Sequence, residues 1–280
     1  MNRISDYLAI FGPNPLKEDG LTEDAQPAGK LLGSFFEWFG GFAMFGARLS
    51  RAIFTAPFEG RELIRQMDAI GSKSLPLVAL AGAATGVVMS LQTRDSLARF
   101  GGKTMLPAVI VFSLLKETGP TITGLVLSGR VGAGIGAELG SMKVTEQIDA
   151  MEASAVDPYK FLAATRVLAC IAVLPLLTLA ADFSGIFMGW VANTLQEPIS
   201  LRLFLDHGFK QVSFSDFLPA TFKTSIFGLI IGAVACFQGM GTQGGTEGVG
   251  RAATSSVVLS SLFIILADVV LVRVIQLLFS

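Results

Sequence analysis

Apolar residues in this chain are grouped in five long runs that polar segments separate. Each run has about 20 residues or more, which is the length that an α-helix needs to cross the hydrocarbon core of a bilayer. The predicted spans are residues 74–93, 105–128, 161–191, 218–238 and 256–278. We therefore predict an all-α integral membrane protein.

The segment before the first apolar run has a different pattern. Residues 30–70 are rich in aromatic side chains at first and then carry recurring charges. This order is typical of helices that lie at the membrane surface, with their rings at headgroup depth. We predict interfacial helices over 30–70, and the alternative of a full span over 31–47 stays open. Residues 1–29 are polar and interrupted by glycine and proline, so we expect a flexible cytoplasmic tail.

The polar segment 141–154, between the second and third spans, has the period of a short amphipathic helix. Val144, Ile148 and Met151 fall on one face at positions i, i+4 and i+7. The acidic side chains on another face are Glu146, Asp149 and Glu152. A helix of this kind is suited to docking on a soluble protein, and its acidic face is poorly suited to anionic lipid headgroups.

Two glycine-rich stretches, residues 129–140 and the loop predicted over 239–253, invite comparison with nucleotide-binding loops. Neither contains GxxxxGK[ST], and neither has GxGxxG after a predicted strand. Small residues at helical spacing, here and in the first span 74–93, instead predict close helix packing. We therefore expect the chain not to bind ATP itself.

The composition agrees with a membrane chain and excludes other classes. Hydrophobic residues make up 51% of the 280 residues and charged residues 15%, whereas soluble domains carry about 25% charged residues. The chain has 21 Lys and Arg against 22 Asp and Glu, so it lacks the basic surface that nucleic-acid binding requires. Its two cysteines and single histidine show no metal-ligand spacing. We predict no metal site.

Ionisable side chains inside the apolar runs are the candidate functional residues, because charge within the hydrocarbon core is costly. Lys116 and Glu117 are adjacent near the middle of the second span, and Gly119-Pro120 follows them. Proline disturbs a helix, and a broken helix can expose a polar lining. The alternative is a self-compensating pair that fixes the packing of helices.

Asp182 and Asp268 are single acids in the third and fifth spans. For both we favour a packing role over a proton relay.

Basic residues indicate the orientation, since eight Lys and Arg precede the first span and favour a cytoplasmic N-terminus. Five spans then place the C-terminus on the opposite side of the membrane.

Several short motifs occur in a characteristic order along the chain. They are LKETGP at 115–120, GRVG at 129–132, AELG at 137–140, TEQIDAM at 145–151 and VDP at 156–158. Together they resemble the MlaE (YrbE) permease family, the membrane subunits of ABC transporters that work with MCE-domain lipid-binding proteins. The resemblance covers roughly residues 30–280.

The resemblance implies a homodimer of permeases bound to two ATPase subunits in the bacterial inner membrane. Phospholipid would move between that membrane and a periplasmic MCE-domain partner, which contributes to outer-membrane lipid homeostasis. ATP and Mg²⁺ would bind the partner ATPase, and no cofactor is expected in this chain. The N-terminus would be cytoplasmic and the C-terminus periplasmic.

The resemblance also implies roles for particular residues. It implies an interfacial elbow helix before five spans, and it makes segment 141–154 the cytoplasmic coupling helix that the ATPase contacts. The contact residues would be Glu146, Gln147, Ile148, Asp149 and Met151. Lys116 and Glu117 would lie near the family's lipid pocket, where the family carries arginine in place of Lys116. Lysine keeps the charge but lacks the planar geometry that binds phosphate through two hydrogen bonds.

A mechanical mechanism follows from this resemblance. Closure of the ATPase would push on 141–154 and shift the first, second and fifth spans around a lipid cavity at the dimer axis. The small residues of the first span would let that interface approach and part. Arg94, at the outer end of the first span, is a further candidate for contact with a lipid phosphate.

Two other classes of function are weighed against this mechanism. A proton-coupled secondary transporter would use Glu117, Asp182 and Asp268, but the chain has no internal repeat and few spans. A membrane-embedded enzyme would require a nucleophile elbow, a His/Asp pair or a metal-ligand set, and the sequence shows none of these.

Overall fold

The computed structural model describes residues 27–55, 59–210 and 212–279. These residues form eight helices and no strand. The helices are α1 Pro27–Phe54, α2 Gly60–Arg99, α3 Lys103–Val144, α4 Gln147–Ala153, α5 Tyr159–Thr194, α6 Leu201–Phe209, α7 Phe214–Met240 and α8 Gly245–Phe279. The tail predicted over 1–29 lies outside the described residues, except for 27–29, which begin α1.

Five of the described helices, α2, α3, α5, α7 and α8, are long and apolar enough to cross a membrane. The prediction of an all-α membrane protein with five spans is therefore confirmed.

The helices extend beyond the predicted spans. Helix α2 has 40 residues, which at about 1.5 Å per residue makes it roughly twice as long as a hydrocarbon core is thick. The segment predicted as interfacial, 30–70, thus contains α1 and the first turns of α2, and its position at the membrane surface stays a prediction.

Helix α1 is attached to the bundle by aromatic contacts. Trp38 and Phe42 stack with their ring centroids 5.4 Å apart, and the ring of Phe237 on α7 meets both of them edge-on. Trp38 is buried, whereas Phe36 on the same helix is 70% exposed. One face of α1 therefore packs on the spans and another presents aromatic surface.

Helix α3 is continuous, but two π turns widen it, at Leu114–Thr118 and Ser128–Gly132. At the first of these the N–H of Gly119 donates to the carbonyl of Leu114, five residues earlier, and Pro120 has no N–H to donate. The break expected at Gly119-Pro120 is wrong, because the helix accommodates the proline through a π turn and continues. The glycine-rich stretch 129–140 is helical as well.

The single helix predicted over 141–154 is also wrong. Helix α3 ends at Val144 and α4 begins at Gln147, because Glu146 has a φ of 58°, a left-handed conformation that a right-handed helix does not continue through. Ala155, just beyond α4, also has a φ of 58°. Val144 therefore belongs to a different helix from Ile148 and Met151, and α4 is a separate element with a turn at each end.

Small residues bring α2 and α5 into close contact. A Cβ atom on Gly82 would overlap the backbone of Ala181, and one on Gly86 would overlap the backbone of Gly185. The close packing predicted for the small residues of the first span is confirmed. The expectation that these residues form a dimer interface is wrong for Gly82 and Gly86, because α5 of the same chain already covers them.

The second glycine-rich stretch is mostly helical. Only residues 241–244 separate α7 from α8, so the loop expected over 239–253 is much shorter than predicted. Gly239 packs against Leu139 of α3, since a Cβ on Gly239 would lie 2.7 Å from the Cβ of Leu139. On α8, Ala252 and Ser256 lie against Gly136 of α3. The glycines therefore serve helix packing rather than a loop.

The central core lies between α3, α5 and α7. Its fully buried side chains include Leu127, Leu174, Phe227 and Ile231. By contrast, the outer faces of the spans carry exposed apolar side chains. Examples are Leu80, Phe183, Phe222, Leu262 and Val269. Such a surface is costly in water and suits contact with lipid tails.

Candidate functional site

A cluster of charged side chains lies between three of the spans. The Nζ atom of Lys223 on α7 is 2.6 Å from Oε2 of Glu117 on α3 and 3.0 Å from Oδ1 of Asp268 on α8. The hydroxyl group of Thr121 donates a hydrogen bond of 3.0 Å to Oδ2 of Asp268. The side chain of Lys223 is only 1% exposed. A charge buried to this extent requires ionic partners, and the two carboxylates supply them.

The cluster has one open side. The side chain of Glu117 is 41% exposed, whereas that of Asp268 is 18% exposed. Beside it on α3, Lys116 is half-buried, and its Nζ atom lies 4.8 Å from the centre of the Phe112 ring. Two acids and two bases therefore occupy neighbouring positions among apolar spans. The open side of the cluster therefore presents both a cation and a carboxylate.

One residue of the predicted pair, Glu117, joins two spans. The π turn Leu114–Thr118 carries Lys116 and Glu117, and π turns of this kind often occur at functional sites. Glu117 links α3 to α7 through Lys223. Glu117 is therefore a packing contact with part of its side chain exposed, and a functional role for the pair stays a prediction.

Asp182 occupies a separate position on α5. Its carboxyl group lies against Gly119 of α3, where a Cβ atom would overlap it. The residue is 2% exposed, and within the described part of the chain neither carboxyl oxygen has a hydrogen-bond partner. The three acids of the alternative proton path therefore do not form one cluster, because Glu117 and Asp268 meet at Lys223 and Asp182 packs against Gly119.

Arg94 belongs to a second charged group, at the end of the bundle where α2 and α5 finish. Its Nη2 atom is 3.0 Å from Oε1 of Glu197, and the Nζ atom of Lys103 is 2.6 Å from the same oxygen. Nη1 of Arg94 also donates to the carbonyl and side-chain oxygens of Asn193. Lys103 donates to Glu197, and this hydrogen bond holds the pKa of that carboxyl below its usual range, with a smaller contribution from the charge of Arg94. Arg94 therefore links the ends of helices and does not belong to the cluster around Lys223.

The opposite end of the bundle carries α4, between the end of α3 and the start of α5. Ile148 is 3% exposed and belongs to the central core, and Met151 packs against that core. Glu146, Gln147 and Asp149 are exposed. The apolar side chains therefore anchor α4 to the spans, while the polar ones face outwards.

No group of three or more His, Cys, Asp or Glu side chains within residues 27–55, 59–210 and 212–279 is close enough together to hold a metal ion.

The family model for the permease MlaE matches residues 63–274, which is more than half of the chain. The chain belongs to the MlaE permease family. This confirms the resemblance found in the sequence, and the five long apolar helices make the chain a multi-pass membrane protein.

The relatives of this chain include proteins that are named as transporter permeases. A probable ABC transporter permease protein of Rickettsia typhi is 36% identical over 248 residues, which cover 89% of this chain and 96% of the relative. The intermembrane phospholipid transport system permease protein MlaE of Haemophilus influenzae is 32% identical, covering 88% of this chain and 95% of the relative. The chloroplastic protein TRIGALACTOSYLDIACYLGLYCEROL 1 of Arabidopsis thaliana is 30% identical, covering 91% of this chain and 75% of the relative.

Sequence reasoning missed Lys223 and Arg166, two charged side chains that the structure buries among the spans. Lys223 lies inside the predicted span 218–238, and Arg166 lies inside the predicted span 161–191. The rule that selected Lys116 and Glu117, that a charge within an apolar run suggests function, also applies to both of them. The signal was therefore present in the sequence, although the partners of each charge were not.

Proposed function

We propose that the chain is the permease subunit of an ATP-driven transporter that moves phospholipid between the bacterial inner membrane and a periplasmic MCE-domain partner. The observation that carries the proposal is the open cluster of Glu117, Lys223 and Asp268 between apolar spans. It supplies polar contacts for a headgroup beside apolar surface for acyl chains. The name of the Haemophilus influenzae relative supports phospholipid as the class of substrate.

In this proposal the headgroup binds at the exposed side of the cluster. Lys116 contacts the phosphate as a point charge, and Glu117 accepts from an amine where the headgroup carries one. Arg94 contacts a phosphate only after it releases Glu197, because that carboxylate occupies its Nη2 atom. Arg94 is therefore a contact for a later stage of transfer, at the periplasmic end of the spans.

The partners we propose are a second copy of this chain, two ATPase subunits and the MCE-domain protein. ATP and Mg²⁺ bind the ATPase subunits, and this chain holds no cofactor. The ATPase docks on the exposed side of α4 through Glu146, Gln147 and Asp149. Ile148 and Met151 act on the inner side, where they pass the displacement of α4 to the spans.

The short connections of α4 support this mechanism. Helix α4 joins α3 and α5 through turns of a few residues, and its anchoring side chains lie in the core that those helices share. A push on α4 therefore moves α3, which carries Lys116 and Glu117. The proposed orientation places α4 and the N-terminus in the cytoplasm, with the C-terminus in the periplasm.

The proton-coupled alternative has weaker support in the geometry. Glu117 and Asp268 are both paired with Lys223, so two of its three acids already have a cation as partner. The third acid, Asp182, packs against Gly119 instead. Asp182 therefore does not share the cation that pairs with the other two acids.

The proposal is tested by purifying the tagged chain from its native membrane in mild detergent and identifying the proteins and lipids that accompany it. We expect an ATPase, an MCE-domain protein and phospholipid. The double variant Glu146→Lys/Asp149→Lys should lose the ATPase, because it reverses the charge of the docking face. The control is Asp206→Lys, a single charge reversal of the same kind at an exposed position of α6, which should keep the ATPase. A chain that purifies alone and transports without any ATPase would overturn the proposal.

A further inference from the structure

Arg166 is a buried charge that the proposed function does not use. It lies on α5, its side chain is 3% exposed, and its neighbours Ala164, Val167 and Cys170 are buried apolar residues. Its guanidinium group reaches an acid on another helix, because Nη2 is 2.8 Å from Oε1 of Glu138 on α3. Glu138 itself is 54% exposed. A fully buried cation thus depends on a carboxylate at the edge of the protein.

The same guanidinium group also holds a main-chain carbonyl. Nη1 of Arg166 donates to the carbonyl of Leu162 at 3.1 Å. Leu162 lies in the π turn Tyr159–Ala164, with which α5 begins. The hydroxyl group of Thr165 donates to the carbonyl of Phe161, in the same turn, at 2.7 Å. Side-chain groups therefore donate hydrogen bonds to the carbonyls of this turn, in which the main-chain hydrogen bonds span five residues instead of the four of an α-helix.

This π turn is where α4 meets α5. Ile148 of α4 and Leu162 of the turn belong to one buried cluster, and Met151, Tyr159 and Phe161 pack against it. Glu138 lies on α3 six residues before that helix ends at Val144. The contacts of Arg166 thus connect α3 with the turn of α5, on either side of α4.

We infer that Arg166 is a positioning residue that ties the π turn of α5 to Glu138 of α3, so that a displacement of α4 reaches both spans together. The inference rests on the proposed function, in which a partner moves α4. In this inference the π turn has two arrangements, in which the carbonyl of Leu162 accepts either from Arg166, as it does in this structure, or from the main chain of a regular α-helix. The guanidinium stabilises one arrangement only while Glu138 holds it in place.

A purely structural ion pair predicts a different result. Its loss would lower the stability or the yield of the complex and leave the efficiency of the remaining complex unchanged. A positioning role instead changes how much phospholipid is moved for each ATP hydrolysed. The ratio of lipid moved to ATP hydrolysed, measured on the reconstituted complete complex, separates the two.

The first variant is Glu138→Gln, which keeps the shape of the side chain and an acceptor oxygen and changes a half-exposed position. We expect ATP hydrolysis to continue and the ratio to fall about tenfold, the effect of weakening one hydrogen bond from a charged donor. The second variant, Arg166→Lys, keeps the charge, but one ammonium group lacks the planar fork that reaches two acceptors. It should lower the ratio at least as much. The matched control is Arg251→Lys, at an exposed arginine that pairs with Glu247 on its own helix, and it should leave the ratio unchanged.

A Glu138→Gln complex that moves as much lipid per ATP as the unaltered complex would overturn the inference, and lower thermal stability with an unchanged ratio would do the same. The proposed function fails on a different observation. If the unaltered complex moves no phospholipid when it hydrolyses ATP, the function is wrong before any variant is compared.

Discussion

The carboxyl group of Asp182 on α5 fills the space that a side chain at Gly119 on α3 would occupy. The two helices therefore touch at a glycine one residue beyond the π turn that carries Lys116 and Glu117. This contact fixes the position of the candidate site relative to α5. It also explains why a larger residue at position 119 requires the carboxyl of Asp182 to move.

We predict that Gly119→Ala destabilises the protein. The added methyl group overlaps the carboxyl of Asp182, and overpacking of this kind typically costs about 1–3 kcal/mol. Thermal unfolding of the purified chain in detergent measures the loss. The double variant Gly119→Ala/Asp182→Ala should recover part of it, because the shorter side chain on α5 leaves room for the methyl group. Equal unfolding temperatures for Gly119→Ala and the unaltered chain would show that the two helices are not in contact here.

The second prediction concerns the buried ammonium group of Lys223. Lys223→Met leaves Glu117 and Asp268 without their cation, and removing one partner of a buried ion pair typically costs about 3–5 kcal/mol. The triple variant Lys223→Met/Glu117→Gln/Asp268→Asn should be more stable than Lys223→Met alone, because it also removes the two carboxylate charges that Lys223→Met leaves unpaired. Unfolding measured in the same detergent for all three proteins checks this order. A triple variant no more stable than the single one would contradict the pairing.

The third prediction uses the close contact of α2 with α5. Gly86→Ala should lower the unfolding temperature, because its Cβ would overlap the backbone of Gly185 and backbone cannot rotate away. Gly134→Ala is the matched control, since a Cβ on Gly134 meets nothing within 4 Å. That variant should unfold at an unchanged or slightly higher temperature, as alanine is the better helix former. Similar losses for both variants would argue against a specific contact at Gly86.

The sequence predicts the five spans well because the length of an apolar run is itself the physical requirement for crossing a bilayer. It also marks Lys223 and Arg166, which are charges inside such runs. It does not predict that Glu117 and Asp268 share Lys223, because that contact depends on how α3, α7 and α8 cross. Tertiary packing determines which charged side chains meet, and no local sequence pattern predicts these pairs.

Local conformation was the least predictable feature. Glu146 adopts a positive φ, although glutamate has no preference for that region, so nothing in the sequence indicated that α4 is separate. Residues 245–253 have a glycine content that predicts a loop. They are helical because Ala252 and Ser256 pack against Gly136, and such contacts override the weak helix propensity of glycine.

The fourth prediction concerns pH at the end of the bundle that carries Arg94. The hydrogen bond from Lys103 lowers the pKa of Glu197 in the folded protein. A carboxyl whose pKa is lower in the folded protein than in the unfolded chain stabilises the protein at any pH above its unfolded-state pKa. This contribution disappears as the pH falls through its folded-state pKa. The unaltered chain should therefore be more stable than Glu197→Gln at neutral pH, and the difference should vanish in acid. Unfolding temperatures of both proteins across this range test it, and a constant difference would contradict it.

The most direct test of the whole account is phospholipid transfer by the purified complex in vesicles, followed with a fluorescent phospholipid and the MCE-domain partner as acceptor. The account predicts transfer that requires ATP hydrolysis and that stops in the Glu146→Lys/Asp149→Lys variant. Transfer by this chain alone, driven by a proton gradient without an ATPase, would contradict it.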